Sequence, residues 1–430
     1  MSELRSWARR TNRKPLVLQG ARQVGKTALL KELGRVAFDR TYYLNFESDP
    51  SLVSLFEGSL SPADLRPRLE AVVGGAISSR SFLIFDEVQC CKRALTSLKY
   101  FCEEAPDLPI AAAGSLLGVA IRPADSSWPV GKVKTMTLAP MDFSEFLDAF
   151  GEHRLLQIIE EAYRGNKPVE RIFHERLLRK VREFLVVGGM PESVATARDA
   201  ETLDAMAWEA VREVQAELLR NSSADMARYA PPREAVRIEA CYRSLPAQLA
   251  KPNQKFMYRV VKSGATAARF EYAIDWLINA GLVIPVRRVS AAEPPLRLQE
   301  EDGAFKAMHM DAGLFGAMAG FRPAEILDET HRRSFGGLVE TFVAQSLRAR
   351  FPELHYWESN SQAEVDFIAE DSSGGIVAVE AKSVTSVKAK SLGVFLGRYP
   401  ESRAIRISEK NFGTPGPVRS VPLYAACFVE

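Results

Sequence analysis

Residues 20–27 contain the glycines, the lysine and the threonine that a phosphate-binding loop requires. The segment matches the pattern G-x-x-x-x-G-K-[ST], with an apolar run before it and a helix-forming stretch after it. Glycines let successive backbone N–H groups face phosphate oxygens, and the N-terminus of the following helix adds positive charge. The predicted nucleotide-binding residues are Gly20, Ala21, Arg22, Gln23, Val24, Gly25, Lys26, Thr27 and Ala28.

Two side chains of this segment have distinct predicted roles. Lys26 is expected to reach the β- and γ-phosphates of ATP and so to act in catalysis. Thr27 offers a hydroxyl to Mg²⁺. The alternative is a glycine-rich loop that arose by chance, but the strand before it and the helix after it favour ATP and Mg²⁺ as cofactors.

Two acidic residues follow a second apolar run. Residues 82–85 read FLIF and lead directly into Asp86 and Glu87. An unbroken apolar run fits a strand buried on both faces, and open α/β sheets bind ligands at the carboxyl ends of such strands. We predict that Asp86 holds Mg²⁺ through its water shell and that Glu87 is the general base for an attacking water. The alternative is a pair of solvated carboxylates, which the upstream loop disfavours.

A third strand end carries a serine. The apolar run that begins at Ile110 ends with Gly114 and Ser115. A polar residue beside the nucleotide can orient the lytic water, which makes Ser115 a candidate for that role. A serine after a glycine is equally common in ordinary turns, so both interpretations stay open.

The C-terminal region holds a separate group of charged residues. Asp366 and the pair Glu380 and Lys382 flank a turn-forming segment at 371–375, which predicts a hairpin. Residues two apart in a strand share a face, and a preceding helix can place Glu340 over them. Such a cluster suits Mg²⁺ and phosphodiester hydrolysis. The alternatives are a solvated acidic hairpin or an inactive nucleic-acid-binding shell.

These residues require elements to position them, and the patterns predict four domains. Strand and helix signals alternate over 1–150, which indicates a parallel sheet covered by helices. Amphipathic helices dominate 151–250. A short helix, a turn, a long helix and a β-run over 251–322 follow the order of a winged helix-turn-helix. The segment 323–430 is again α/β, so the predicted fold class of the chain is α/β with a helical and winged-helix middle.

Basic residues concentrate around the predicted winged helix. Such a cluster suits contacts to DNA phosphates, although charge clusters are also typical of solvated faces. The long helix also carries apolar residues at Ala268, Tyr272 and Leu277, which we interpret as core. The basic residues are Lys251, Lys255, Arg259, Lys262, Arg269, Arg287 and Arg288.

The amino-acid composition excludes several classes of protein. The 430 residues are 47% hydrophobic and 26% charged, values of a globular chain rather than a disordered one. With 56 Lys and Arg against 54 Asp and Glu, the net charge is +2, so any DNA contact must come from a local patch. Five scattered cysteines fit a reducing compartment. We see no secretory signal and no apolar run long enough for a membrane span, so a cytoplasmic protein is expected.

Several motifs together resemble those of a known family. LVLQGARQVGKT at 16–27, FDEVQ at 85–89 and AGS at 113–115 are similar to AAA+-like P-loop ATPases of a large prokaryotic family whose C-terminal half is a domain of unknown function. The resemblance implies ATP hydrolysis and the strand order 5-1-4-3-2, with the strand before Ser115 between the two nucleotide motifs. Further similar segments are 129–132, 140–147, 187–191, 276–283, 305–306, 311–314, 356–357 and 364–367.

The C-terminal carboxylates also resemble a known arrangement, that of the PD-(D/E)xK, or restriction-endonuclease-like, fold. The proline of that motif is absent, since Val365 precedes Asp366. Many AAA+ proteins take an arginine from a neighbouring subunit, so the resemblance leaves a homo-oligomer open, and Arg122 is one candidate for that arginine. The sequence thus predicts an ATPase that acts on nucleic acid. The alternative is an ATP-dependent regulatory switch whose inactive C-terminal module binds a protein.

Overall fold

The computed structural model describes residues 1–120, 128–328, 335–359, 363–382, 390–414 and 416–430. The chain divides into two compact units. The first unit consists of Met1–Ala139 and Asn279–Gly281, and the second of Pro140–Ile278 and Leu282–Glu430. These units differ from the four predicted domains, because the ranges after residue 150 do not separate from one another.

The first unit contains a five-stranded parallel sheet in the order β2-β3-β4-β1-β5. This is the order that the resemblance implies, and the predicted parallel α/β arrangement is confirmed. Because β4 lies between β1 and β3, the carboxyl ends of these three strands are neighbours at one edge. The strands are β1 Leu16–Gln19, β2 Arg40–Asn45, β3 Ser81–Asp86, β4 Ile110–Ala113 and β5 Lys134–Thr137.

Helices cover both faces of this sheet, which explains its unbroken apolar runs. Val17, Leu83 and Phe85 belong to one buried cluster, whereas Leu18 and Ile84 belong to another. Successive residues of a strand face opposite sides, so the central strands β1, β3 and β4 must be apolar on both. The helices are α1 Ser2–Ala8, α2 Lys26–Ala37, α3 Pro62–Val73, α4 Lys92–Glu104 and α5 Leu117–Ala120, with 3-10 turns at Pro50–Phe56 and Val88–Cys90.

The second unit begins with a run of helices, as the sequence predicts for its middle region. Within the described part of the chain, no helix combines the length and the apolarity needed to cross a membrane. The helices are α6 Phe143–Ala149, α7 His153–Gly165, α8 Arg171–Val187, α9 Pro191–Asp199, α10 Ala205–Tyr229 and α11 Pro232–Leu249.

A seven-stranded mixed sheet forms the remainder of this unit, in the order β12-β11-β10-β9-β8-β6-β7. Its strands are β6 Val283–Val289, β7 Glu300–His309, β8 Leu354–Ser359, β9 Ala363–Glu370, β10 Ile376–Ala381, β11 Arg403–Ser408 and β12 Val418–Pro422. The helices are α12 Tyr258–Val261, α13 Ala267–Asn279, α14 Ala312–Met318, α15 Pro323–Leu327, α16 Gly336–Arg348 and α17 Lys390–Arg398, with 3-10 turns at Leu296–Gln299 and Leu423–Phe428.

The predicted winged-helix segment has its expected order of elements but is not a separate domain. Helices α11, α12 and α13 precede the antiparallel pair β6 and β7. Strand β6 also pairs with β8, so the hairpin is part of the C-terminal sheet. Side-chain burial on α13 differs from the prediction, because Ala268 and Tyr272 are exposed. Phe270 and Ala273 are buried on this helix instead, as is the predicted Leu277.

A buried aspartate joins distant segments of the second unit. Asp311 caps α14 by accepting from the backbone N–H of Leu314 at 2.8 Å, and it accepts from Gly189 N–H at 2.6 Å. Gln345 donates to the same carboxylate at 3.3 Å. The approach is close: a Cβ on Gly313 would lie 2.4 Å from the backbone nitrogen of Gly188. The two glycine-containing motifs at 187–191 and 311–314 therefore have a packing role.

Two glycines of α14 provide a matched test of this packing. In Gly313→Ala the new methyl group would overlap backbone atoms of residues 187 and 188, which can avoid it only if the backbone shifts. We therefore expect the free energy of unfolding to fall by about 1–3 kcal/mol. At Gly316 the nearest atoms to a new Cβ are 3.7 Å away, and alanine there should be neutral or stabilising. Urea denaturation followed by tryptophan fluorescence measures both. Equal midpoints for the two variants would contradict the packing described.

Candidate functional site

At two positions, the loop between β1 and α2 has a backbone conformation that only glycine adopts readily. Gly20 has φ 150° and Gly25 has φ 94°, both in the region that L side chains rarely adopt. A Cβ on Gly20 would also lie 2.2 Å from the carbonyl oxygen of Leu138. Gln23 has a positive φ of 62° as well. The loop therefore curls tightly before α2, whose N-terminus is a favourable position for an anion.

Lys26, the first residue of α2, folds back over this loop. Its side chain is buried, and its ammonium group donates to the carbonyl oxygens of Ala21 at 2.7 Å and Gly20 at 3.1 Å. The hydroxyl of Ser115 lies 3.5 Å from the same nitrogen. The cation is thus held where the phosphate loop meets the end of β4.

The hydroxyl of Thr27 connects the loop to the second motif. Thr27 Oγ1 donates to Asp86 Oδ2 at 2.7 Å, and Asp86 is 2% exposed at the end of β3. A hydroxyl and a carboxylate oxygen this close are the hard donors that Mg²⁺ prefers. These residues therefore fit the predicted Mg²⁺ site.

Tyr43 also contacts Asp86, although no motif in the sequence indicates a role for it. Its hydroxyl donates to Asp86 Oδ2 at 2.8 Å and accepts from Asn45 Nδ2 at 3.0 Å. Burial and the contact with Asp86 raise the pKa of Tyr43 to about 12, so it is neutral at physiological pH and can donate. The lateral pairing of β2 with β3 creates the contact.

Glu87 follows Asp86 with a left-handed backbone, φ 50°. Non-glycine residues with such a φ are uncommon and occur at functional sites. Burial raises the pKa of Glu87, and the neighbouring charge of Asp86 adds to the effect. Its Oε2 accepts a hydrogen bond from Gln89 Nε2. A carboxylate with a raised pKa at this strand end has the properties of a general base.

The structure thus brings Lys26, Thr27, Asp86 and Ser115 into one connected group, with Glu87 beside them. The other predicted loop residues have simpler surroundings. Arg22 is 3.9 Å from Glu47, Gln23 and Ala28 are exposed, and Val24 is buried. Arg122 lies outside the described residues.

Comparison with known proteins identifies the domain family that the nucleotide-binding segment matches. Residues 12–147 match the profile of an AAA domain. This segment therefore matches an AAA domain, in agreement with its five-stranded parallel sheet. Downstream of the AAA domain, residues 178–325 match a domain of unknown function (DUF8612), and residues 335–423 match another (DUF4143). A comparison with curated proteins finds no match for the chain.

Solved structures with some likeness to the chain include a Walker-type ATPase. The Walker-type ATPase PABY2304 of Pyrococcus abyssi is 16% identical, with 74% of this chain and 94% of that chain covered and a TM-score of 0.45. AMPPCP-bound DnaA from Aquifex aeolicus is 14% identical (64% and 86% covered, TM-score 0.29). Cdc6p from Pyrobaculum aerophilum is 12% identical (76% and 92% covered, TM-score 0.24). Likenesses this low carry no conclusion about function.

The predicted C-terminal residues also lie together in the second unit. The ammonium group of Lys382 is 3.5 Å from Asp366 Oδ2 and 3.5 Å from Glu380 Oε1. Asp366 Oδ2 also accepts from the backbone N–H of Ala381 at 2.9 Å. Strands β9 and β10 pair antiparallel, as the predicted hairpin requires, which brings Asp366 opposite Glu380. A lysine therefore lies between the two carboxylates.

A second lysine, which the sequence did not assign to this cluster, enters from β7. Lys306 is fully buried and pairs with Glu364 at 2.5 Å. Burial lowers the pKa of Lys306, but Asp366, Glu340 and Glu364 outweigh this and raise it above its ordinary value. Lys306 is therefore a permanent cation beside the carboxylates.

Glu340 extends from α16 toward these groups. Its Oε1 accepts from Gln254 Nε2 at 2.9 Å. Burial, with the nearby charge of Asp366, raises the pKa of Glu340 to about 8. Burial thus favours the protonated form of this carboxyl group, and protonation reduces the repulsion among the acids.

Glu340 does not join Asp366 and Glu380 in a group of three carboxylates around one point. Ligands of one octahedral Mg²⁺ lie within roughly 4.2 Å of one another. No choice of one oxygen from each of Glu340, Asp366 and Glu380 places all three within 4.8 Å of one another. The ammonium groups of Lys306 and Lys382 lie among these carboxylates and balance part of their charge.

Within the described ranges, one group of three side chains does meet that distance criterion, namely Glu300, Glu353 and His355. His355 Nε2 lies 2.9 Å from Glu300 Oε1. Arg287 lies 3.7 Å from Glu300, and Arg297 lies 2.6 Å from Glu353. Ion pairs therefore account for this group.

Three of the predicted DNA-contacting residues have acidic partners. Arg288 lies 3.1 Å from Glu358, and Lys255 lies 2.6 Å from the same residue. Arg287 pairs with Glu300, as noted above. The charge available to phosphates at this surface is therefore smaller than the sequence indicates.

Helix α13 further reduces the positive charge of this surface. Its exposed residues include Arg269 but also Glu271 and Asp275. A helix that enters a DNA groove would bring these two carboxylates toward the phosphates, which is unfavourable.

Proposed function

We propose that this protein binds and hydrolyses ATP in its AAA domain. The observation that carries the proposal is the hydrogen bond between Thr27 and Asp86, which joins the two motifs beside Lys26. An ATPase needs a cation for the phosphates, donors for Mg²⁺ and a base for water, and these groups lie at adjacent strand ends here.

Each residue then has a defined task. Lys26 leaves the loop carbonyls and binds the β- and γ-phosphates, together with backbone N–H groups of the loop. Thr27 and Asp86 would hold Mg²⁺, which neutralises charge on the phosphate oxygens when it is bound. Glu87 accepts the proton of the attacking water at its carboxylate, and Ser115 orients that water.

Two variants separate ATP binding from hydrolysis. Glu87→Gln keeps the size of the side chain but removes the base, so ATP should still bind while turnover falls by roughly 10²–10⁴-fold. Lys26→Ala removes the cation and should abolish binding or weaken it severely. Phosphate release and titration with a fluorescent ATP analogue measure the two properties, with the surface variant Arg35→Ala as control. Unchanged turnover in Glu87→Gln would exclude it as the base.

For the second unit, we propose a client-binding role that ATP turnover controls. Nucleic acid is one client class, supported by the D…ExK arrangement of Asp366, Glu380 and Lys382 and by the order of α11 to β7. The balanced charges of the carboxylate cluster and the paired arginines give more support to the alternative, an inactive module that binds a protein partner.

Duplex DNA distinguishes these client classes. If basic residues contact phosphates, DNA affinity should fall steeply with salt, and Arg287→Ala/Arg288→Ala should make that slope shallower. Fluorescence anisotropy at several salt concentrations measures this. The charge balance described above predicts weak binding and no cleavage of DNA in Mg²⁺ or Mn²⁺. Cleavage that Asp366→Asn abolishes would establish the nuclease alternative.

A further inference from the structure

The side chain of Gln89 spans the space between the proposed base and the end of β4. Gln89 Nε2 donates a hydrogen bond to Glu87 Oε2. Because a carboxylate only accepts, the amide nitrogen must face Glu87, and the amide oxygen then faces away from it. That oxygen is buried and has no hydrogen-bond partner within the described part of the chain.

Gly114 is the residue that leaves room for this amide. A Cβ on Gly114 would lie 2.4 Å from Gln89 Oε1 and 2.7 Å from Cδ2 of Leu117. Any larger residue at this position would displace the glutamine side chain. Since Gly114 immediately precedes Ser115, the amide oxygen is placed next to the strand end where the water-orienting candidate lies.

The local backbone sets the position of Gln89 relative to Glu87. The left-handed φ of Glu87 reverses the chain, and a 3-10 turn over Val88–Cys90 follows. The backbone N–H of Cys90 donates to the carbonyl oxygen of Glu87 at 2.9 Å, which closes the turn. Gln89 is therefore held beside the carboxylate by a short, hydrogen-bonded segment rather than by a long flexible loop.

We propose that Gln89 is a positioning residue for ATP hydrolysis: its amide N–H group orients the carboxylate of Glu87, and its amide oxygen can accept a hydrogen bond from the attacking water. This rests on the proposed ATPase function and extends it. A glutamine with a merely structural role would be expected to have both amide atoms paired, because buried polar atoms nearly always have partners.

The test compares Gln89→Ala and Gly114→Ala with wild type in steady-state ATP hydrolysis across pH. Gln89→Ala removes the amide, and Gly114→Ala displaces it from the other side. For both we expect kcat to fall by about 10- to 100-fold, with KM for ATP within about twofold of wild type. Lys99→Ala, on the exposed face of α4, is the matched control.

Two results would overturn the inference. One is a wild-type kcat in Gln89→Ala, and the other is a change confined to KM in both variants. Binding of a fluorescent ATP analogue checks that each variant is folded, and Gly114→Ala keeps the inference testable if Gln89→Ala does not fold. Equal turnover in wild type and Glu87→Gln would overturn the proposed function itself, whereas dependence on Glu87 without dependence on Gln89 overturns this inference alone.

Discussion

The hydrogen bond between Thr27 and Asp86 depends on the order of strands in the first sheet. With β4 between β1 and β3, the phosphate loop and the acidic pair extend from the same edge at a distance that side chains can bridge. The central strands β1, β3 and β4 are buried on both faces, and the polar residues of the site lie where these strands end. The same edge contains Lys26, Ser115 and Gln89. Every proposed role in nucleotide chemistry therefore depends on this lateral arrangement.

In the second unit, the main electrostatic requirement is the compensation of buried carboxyl groups. Several carboxyl groups are buried together, and two lysines lie among them. Buried charges are costly unless they are paired, and removal of one partner leaves the other uncompensated. Lys306 and Lys382 supply this pairing within the protein itself. A cluster with these residue types resembles a nuclease site, and its lysines pair the buried carboxylates.

Local patterns in the sequence were sufficient for much of the fold. The alternation of apolar runs and helices predicted the parallel sheet, and the turn residues at 371–375 predicted the hairpin of β9 and β10. The domain division was not predictable in this way, because the pairing of β6 with β8 joins segments far apart in sequence. The prediction of which α13 residues are buried was partly wrong, because tertiary contacts decide which face of a helix is covered.

The residues of the candidate sites were also only partly predictable from the sequence. Lys26, Thr27, Asp86 and Glu87 belong to contiguous motifs, so their neighbours in the chain identified them. Tyr43 meets Asp86 only through the register of β2 with β3, and Lys306 meets Glu364 only across the second sheet. Such contacts depend on strand pairing, which a single sequence does not reveal.

The most direct test of the account is a structure of the full chain with Mg²⁺ and a non-hydrolysable ATP analogue. We expect the phosphates to lie against the loop at 20–27, with the ammonium group of Lys26 moved from the carbonyl oxygens of Gly20 and Ala21 to the phosphate oxygens. Thr27 and Asp86 should both face the metal. A nucleotide bound elsewhere, or phosphates bound while Lys26 still donates to the loop carbonyls, would contradict the assignment.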